Sequence, residues 1–277
     1  MTRKIVVDSS ADPFAWAGAE IGCASLKIIT DQKEYVDDAK LDIKKMVKEL
    51  AEYKGKSGTA CPSTEDWLSA FGEAEEVYCV SITSNLSGSY NAARLAAERY
   101  TEEHPDRKAM VVDSLSAGPE LRLITRKLQK YIGTEYSFEE IKEKIAAYQQ
   151  KTGLLFMLES MRNLANNGRV SPLVAKMAGL LGIRVVGKAS DEGTLEPLEK
   201  PRGREKALEA LMTQLKKHNF NGKKIYIAHC FNPEAAADLK ERVLAAFPKC
   251  KATVYALGGL CSFYAEKGGL LVGYEKT

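Results

Sequence analysis

The chain has 277 residues, with 40 Lys and Arg against 37 Asp and Glu and a formal charge of +3 at pH 7. That length reads as two domains or one large α/β unit, and so small and dispersed a charge argues against a nucleic-acid binder. No apolar run approaches the ~20 residues of a membrane span, and Met1-Thr2-Arg3-Lys4 leads into Ile5-Val6-Val7 without a signal-peptide core, so the expected location is the cytoplasm.

The first strand is expected at 4–7 and ends in Asp8-Ser9-Ser10; an amphipathic helix is expected at 42–53. Gly58-Thr59-Ala60-Cys61-Pro62-Ser63 reads as a hydroxyl turn in which Ser63 caps a helix carrying Trp67, Leu68 and Phe71, leaving Thr59 free to donate. A strand at 77–82 then runs into Thr83-Ser84-Asn85-Leu86-Ser87-Gly88-Ser89-Tyr90, which opens a helix at 89–103. Hydroxyls at Ser84 and Ser87, the backbone from Gly88 onward and the helix dipole together make an anion cradle; the same residue pattern also serves as a plain helix cap.

A strand at 109–112 repeats the motif of the first, ending in Asp113-Ser114, and both Asp8 and Asp113 are expected to be structural, each capping its next helix. Helices at 120–132 and 138–151 lead to Gln150–Gly153, the expected boundary between a domain at 1–152 and one at 153–277. Beyond a strand at 154–158, the Asn167-Gly168 turn delivers Arg169 just before a proline-initiated helix at 173–181, so that the guanidinium either faces a cleft or lies on the surface. Lys200-Pro201-Arg202-Gly203-Arg204-Glu205-Lys206 is either a docking patch or a solvated helix start. A helix at 204–218, a strand at 224–228 ending at His229, a helix at 233–247 and a strand at 252–256 complete the pattern. His229 sits where α/β proteins bind ligands, although a histidine capping the helix at Asn232-Pro233 explains it equally. The class is α/β: two α/β domains with largely parallel sheets.

Six scattered cysteines and three isolated histidines signal neither a metal site nor a disulfide framework nor a Cys–His pair. No nucleotide-binding glycine loop and no G-x-S-x-G elbow occurs. Two hydroxyl turns with helix amides suit one carboxylate or phosphate held by neutral donors, which favours binding over catalysis, and neither a cofactor nor a metal is expected. Two enzyme readings stand beside it: a hydrolase using Ser87, or a phosphotransferase like the dihydroxyacetone kinases. A third is a binder of some other apolar carboxylate.

Taken in order, Val6-Val7-Asp8-Ser9-Ser10, Thr59 with Pro62 and Ser63, Ser84 to Tyr90, Val112-Asp113-Ser114, Gly168-Arg169-Val170-Ser171 and Gly193-Thr194-Leu195-Glu196-Pro197 with Arg202-Gly203-Arg204 resemble the bacterial DegV proteins over nearly the whole chain. That family includes the fatty-acid-binding subunits of fatty acid kinase. The resemblance implies a tunnel between and within the two domains for one long-chain fatty acid, a kinase subunit as partner, and a place in phospholipid synthesis. Transient contact with an anionic membrane surface is a separate expectation, one use of the 200–206 stretch if it is a docking patch. Thr59 and Ser87 match the carboxylate-binding hydroxyls, and Arg169 matches the arginine of a Gly-Gly-Arg turn whose first glycine is Asn167 here. Ala60 replaces a serine common in the family. Tyr264 stands where the family often places a histidine; a phenol donates to a carboxylate but shuttles protons poorly near neutrality. For the tail, Ala175, Met177, Ala178, Leu180, Leu181 and Ile183 are expected to line the path, with core packing as the other explanation of the same pattern.

Overall fold

The computed structural model describes residues 2–15, 21–178 and 182–277. In chain order, the first elements are β1 (Arg3–Asp8), β2 (Gly22–Ala24), β3 (Lys27–Thr30), β4 (Glu34–Val36), α1 (Ile43–Glu52), β5 (Ser57–Ala60), α2 (Thr64–Phe71) and β6 (Glu76–Ser81). Next come α3 (Ser89–Glu103), β7 (Lys108–Asp113), α4 (Pro119–Ile132), α5 (Phe138–Gln149), β8 (Thr152–Leu158), α6 (Arg162–Asn166), α7 (Pro172–Met177), β9 (Val185–Ala189) and β10 (Leu195–Glu199). The last are α8 (Arg204–Lys217), β11 (Phe220–His229), α9 (Pro233–Ala246), β12 (Lys251–Ala256), α10 (Gly259–Ala265) and β13 (Leu270–Lys276).

The first sheet has the order β2-β1-β6-β7 and every pair is parallel. Its central strands are apolar on both faces, as strands covered on both sides must be. The two-residue period sends Val6, Val77 and Cys79 toward α2 and α3, where they meet Trp67, Phe71 and Tyr100, and sends Ile5, Val7, Tyr78 and Val80 toward α4 and α5. α2 begins as its sequence implies: the Ser63 hydroxyl accepts from Asp66 N at 3.2 Å, and the Asp66 carboxylate accepts from Ser63 N at 2.8 Å.

The second sheet, β10-β9-β8-β13-β11-β12, departs from the expected parallel pairing. Only β11 and β12 run parallel; β13 lies between β8 and β11, antiparallel to both, and β9 and β10 form a hairpin. Periodicity marks a strand but carries nothing about its neighbours. Here the chain leaves β12 through the short α10, reverses at Glu266 to Gly269, and inserts β13 into the middle of the sheet. α8 and α9 cover one face through Leu208, Leu211, Leu239 and Val243. On the other face, Gly273 of β13 lets α4 come close: a Cβ there would lie 2.5 Å from the Pro119 carbonyl carbon and 2.6 Å from Glu120 N. α4 therefore packs on both sheets.

A third sheet, β4-β3-β5, is antiparallel. Three- and four-residue strands are too short to show a period, and the sequence predicts none of them. This sheet changes the setting of Thr59, which lies on β5 opposite Ile28 rather than in a turn. It joins the rest through Ile28, Tyr35 and Met46, packed around Phe263 of α10. Among the described residues no helix is long and apolar enough to cross a membrane.

Candidate functional site

A cavity partly open to solvent runs between the two larger sheets; its atom-free space, open solvent included, is about 690 Å3. Its walls are apolar: Leu26 lies just after β2, Ile82 just after β6, Leu154 and Leu158 come from β8, Leu260 from α10 and Leu271 from β13. Among the described residues that line it, the polar side chains other than the Cys261 thiol are Thr59, Ser87, Arg169 and Tyr264. These four are half-buried, whereas Leu26, Leu158 and Leu260 are 2% exposed, so the polar end of the cavity is the end that meets water.

The four polar groups are held by one another and by backbone. The Thr59 and Tyr264 hydroxyls lie 2.7 Å apart. Burial pushes the Tyr264 phenol up, against the pull of the Thr59 hydroxyl and the Arg169 charge, so the phenol keeps its proton and can donate. Arg169 donates from Nε to Leu86 O at 3.1 Å and from Nη1 to Asn167 O, which uses two of its five N–H donors. The Ser87 hydroxyl accepts from Ser89 N at 3.2 Å at the start of α3 and keeps its own proton to give.

Two residues of the expected cradle do not line the cavity. Ser84 is exposed, its N–H donating to Asp113 Oδ1 at 3.1 Å, and Gly88 is the exposed cap residue of α3, packed near the Cys61 sulfur. Leu86 and Ser87 line the cavity, while Ser84 and Gly88 on either side of them are exposed. Of the six residues expected along a tail path, three can be placed. Ala178 belongs to the core with Ala175 packed beside it, and Ile183 is bridged to Arg202; none of the three lines the cavity. The helix expected at 173–181 ends at Met177, and Leu180 and Leu181 lie outside the described residues, as does the Met177 side chain. The apolar wall comes instead from strand ends and α10, whose separate leucines carry no common sequence signal.

Asp8 and Asp113 are structural, as expected, but Asp113 does not cap its next helix, whose cap residue is Gly118. Asp8 is fully buried and accepts from Ile82 N at 2.8 Å, Ser89 Oγ at 2.7 Å, Ser10 N at 3.2 Å and Ser10 Oγ. Asp113 holds Ser84 N and Leu115 N, both at 3.1 Å. His229 accepts from Asn232 N through Nδ1 at 3.4 Å, which is the capping alternative. A carboxylate the sequence did not single out, Asp37, accepts from Gly259 N at 2.8 Å and Leu260 N at 2.9 Å. It thereby fixes the start of α10, which carries Leu260, Cys261, Tyr264 and Ala265 along the cavity. Asp12 adds a bond from Gly258 N at 2.8 Å. Among the described residues no cluster of three or more His, Cys, Asp or Glu could hold a metal.

Burial pushes Asp37 up to about 6, and it raises Asp8, Asp12 and Glu120 as well. A carboxyl with its folded pKa above its unfolded value binds its proton more tightly when folded, so stability grows as pH falls from about 7 through 6 toward ~4. Surface carboxylates held low by their partners, such as Glu103 beside Arg99 and Asp238 beside Arg242, take stability away only below that window. Burial also lowers His218 and His229, which protonate less readily in the folded protein and take stability away as pH falls through about 6.5. Asp37→Asn should therefore lower the melting temperature relative to the wild-type protein more at pH 5.5 than at pH 7.5, by roughly 2–4 °C for each kcal/mol. A gap between the two proteins that stays the same over this interval would contradict the assignment.

The fold and site define an α/β protein with an apolar cavity that carries hydroxyls and one guanidinium at its wet end. The family described as "Uncharacterised protein, DegV family" matches residues 2–277. This chain belongs to the DegV family. It is 45% identical over 279 residues to a DegV domain-containing protein of Streptococcus pneumoniae, covering 99% of each. Two solved structures are similar throughout. The Streptococcus pneumoniae Fatty Acid Kinase (Fak) B3 protein loaded with linoleic acid has a TM-score of 0.97 at 44% identity and covers 100% of both chains. A DegV family protein from Eubacterium eligens loaded with heptadecanoic acid has a TM-score of 0.96 at 43% identity, covering 99% of this chain and 100% of the other.

Proposed function

We propose that this protein holds one long-chain fatty acid in the cavity and presents its carboxylate to a separate kinase subunit, which returns it as acyl phosphate for phospholipid synthesis. The observation that carries the reading is the gathering of Thr59, Ser87, Arg169 and Tyr264 at the wet end of an otherwise apolar cavity. Two relatives more than 40% identical hold linoleic and heptadecanoic acid, and one of them is a fatty acid kinase protein. Thr59 and Ser87 orient the acid, Arg169 stabilises its charge, and Tyr264 is a further donor. Burying about fourteen methylenes at ~0.8 kcal/mol each supplies roughly 11 kcal/mol of gross driving force. Lost translational and rotational freedom removes a large share of it. The head group then has only to orient the chain.

The division into a 1–152 unit and a 153–277 unit belongs to this reading: the hydroxyls come from the first, Arg169, Tyr264 and most of the apolar wall from the second. The work is placed in the cytoplasm, with transient contact at a membrane surface. The stretch at 200–206 is a weak candidate for that contact, since Arg204 is engaged with Asp238 at 3.3 Å and Glu234 at 3.8 Å. Hydrolysis by Ser87 is disfavoured because none of the three histidines lines the cavity.

Native mass spectrometry of protein purified from bacteria should show a co-bound acyl chain of one or a few fatty-acid masses. Protein that is empty and also takes up no added fatty acid would sink the proposal. Turnover of acyl esters, or of ATP with fatty acid, by the isolated chain would turn the reading toward an enzyme.

A further inference from the structure

We infer that Asn167 is a positioning residue, a clamp that holds the mouth of the cavity shut across β5 and the turn carrying Arg169. The inference rests on the fatty-acid reading above and concerns how the ligand gets in and out. The Asn167 amide has two hydrogens and each has a partner: Nδ2 donates to Asn163 O at 2.8 Å on its own helix and to Ser57 O at 3.2 Å on β5. The first bond fixes the rotamer and the second crosses the gap. Its Oδ1 lies 3.2 Å from where a side chain on Gly58 would begin, so the amide packs flat on the backbone next to Thr59.

The same residue also holds Arg169, whose Nη1 donates to the Asn167 carbonyl while its Nε reaches Leu86 O at 3.1 Å, beside Ser87. Gly168 between them takes φ +72° with nothing within 4 Å of a would-be side chain, which lets the turn fold back so that Arg169 and Asn167 meet. One side chain and one carbonyl thus join three segments: β5 with Thr59, the 167–169 turn with Arg169, and through Arg169 the 84–88 turn with Ser87. These are the segments whose polar groups line the cavity where it meets water. A chain entering there must part them, and the bond from Asn167 to Ser57 ties β5 to the 167–169 turn and, like those of Arg169 to Leu86 O and Thr59 to Tyr264, yields without disturbing a helix or a sheet ladder.

A clamp of this kind slows entry and exit together. A head-group contact slows exit alone. Asn167→Gly removes the amide, and Asn167→Asp keeps its shape but puts an acceptor against two carbonyls. Stopped-flow mixing with cis-parinaric acid, an 18-carbon fluorescent fatty acid, should show both association and dissociation about five-fold faster in each variant, the equivalent of one side-chain-to-backbone hydrogen bond. The dissociation constant should move by less than about two-fold. A variant that merely folds less well loses active fraction and does not gain association rate. If the wild-type protein binds the probe and both variants keep its rates, or if dissociation alone accelerates, the clamp is wrong. If the wild-type protein does not bind the probe, the fatty-acid reading itself has failed.

Discussion

Thr59→Val together with Ser87→Ala should weaken binding of a long-chain fatty acid by roughly 100- to 1,000-fold while leaving the fold intact. Neither hydroxyl supports the core. Thr59 is half-buried on a short sheet and, among the described residues, its hydroxyl bonds the Tyr264 phenol alone, at 2.7 Å; Ser87 is half-buried and caps one N–H of α3. Valine keeps the shape of threonine, and alanine removes one oxygen. The loss is two donors to a carboxylate, each worth about 1.5–3 kcal/mol when the acceptor is charged. At ~1.4 kcal/mol per decade two independent donors account for roughly two to four orders of magnitude, and the head group they share brings this to roughly two to three. Binding should not vanish, because the tail contacts and Arg169 remain. The two substitutions should fall short of additivity, since both act on one head group. Titration calorimetry measures the change directly. Unchanged affinity in the double variant would remove the hydroxyls from the site and leave Arg169 and Tyr264 to orient the ligand.

The parts of this site that are legible in the sequence are those where one residue type at one place has few other uses. Thr59, Ser87, Arg169 and Tyr264 stand out as hydrogen-bonding groups at turns or at departures from a familiar pattern, and the fold does bring them together. Sequence places Ser84 and Gly88 in the same cradle because a linear motif does not say which of its residues face a cavity and which face water; both are exposed. The parallel sheet is legible because strands buried on both faces show continuous apolar runs, as in Ile5-Val6-Val7 and Val77-Tyr78-Cys79-Val80. Hidden from sequence are the short strands of the third sheet and the antiparallel insertion of β13, both fixed by partners far away in the chain. Asp37 is hidden for the same reason: its two bonds reach residues 222 and 223 positions away. The cavity wall is misplaced by sequence because small and apolar residues on one helix look alike whether they face a ligand or a core. Here Ala178 faces the core.

Asp8→Ala should cost about 4 kcal/mol of stability, a large fraction of the ~5–15 kcal/mol that holds a typical domain together. The carboxylate is fully buried and reaches three separate pieces of structure: the Ser10 amide and hydroxyl just after β1, the Ile82 amide just after β6, and the Ser89 hydroxyl at the start of α3. Alanine leaves these buried donors without an acceptor, at about 1–3 kcal/mol for each that finds no other partner. Part of that loss is offset. Burial raises the Asp8 carboxyl above its ordinary value, which means that the folded protein bears a desolvation cost alanine would not carry. Asp8→Asn separates the two effects, since the amide keeps the volume and one acceptor oxygen but sets an N–H₂ against donors; it should cost about half as much. Both variants should also loosen the start of α3, two residues from Ser87, so the folded fraction of Asp8→Asn should hold fatty acid more weakly than the wild-type protein. Urea denaturation gives the stability change from the midpoint at constant slope. A midpoint within experimental error of wild type for Asp8→Ala would mean that the Ile82 amide and the Ser89 hydroxyl find other partners. Asp8 would then be a cap on its own turn, as each strand-ending aspartate looks from sequence, and not the joint between the first strand and the helix behind the ligand site.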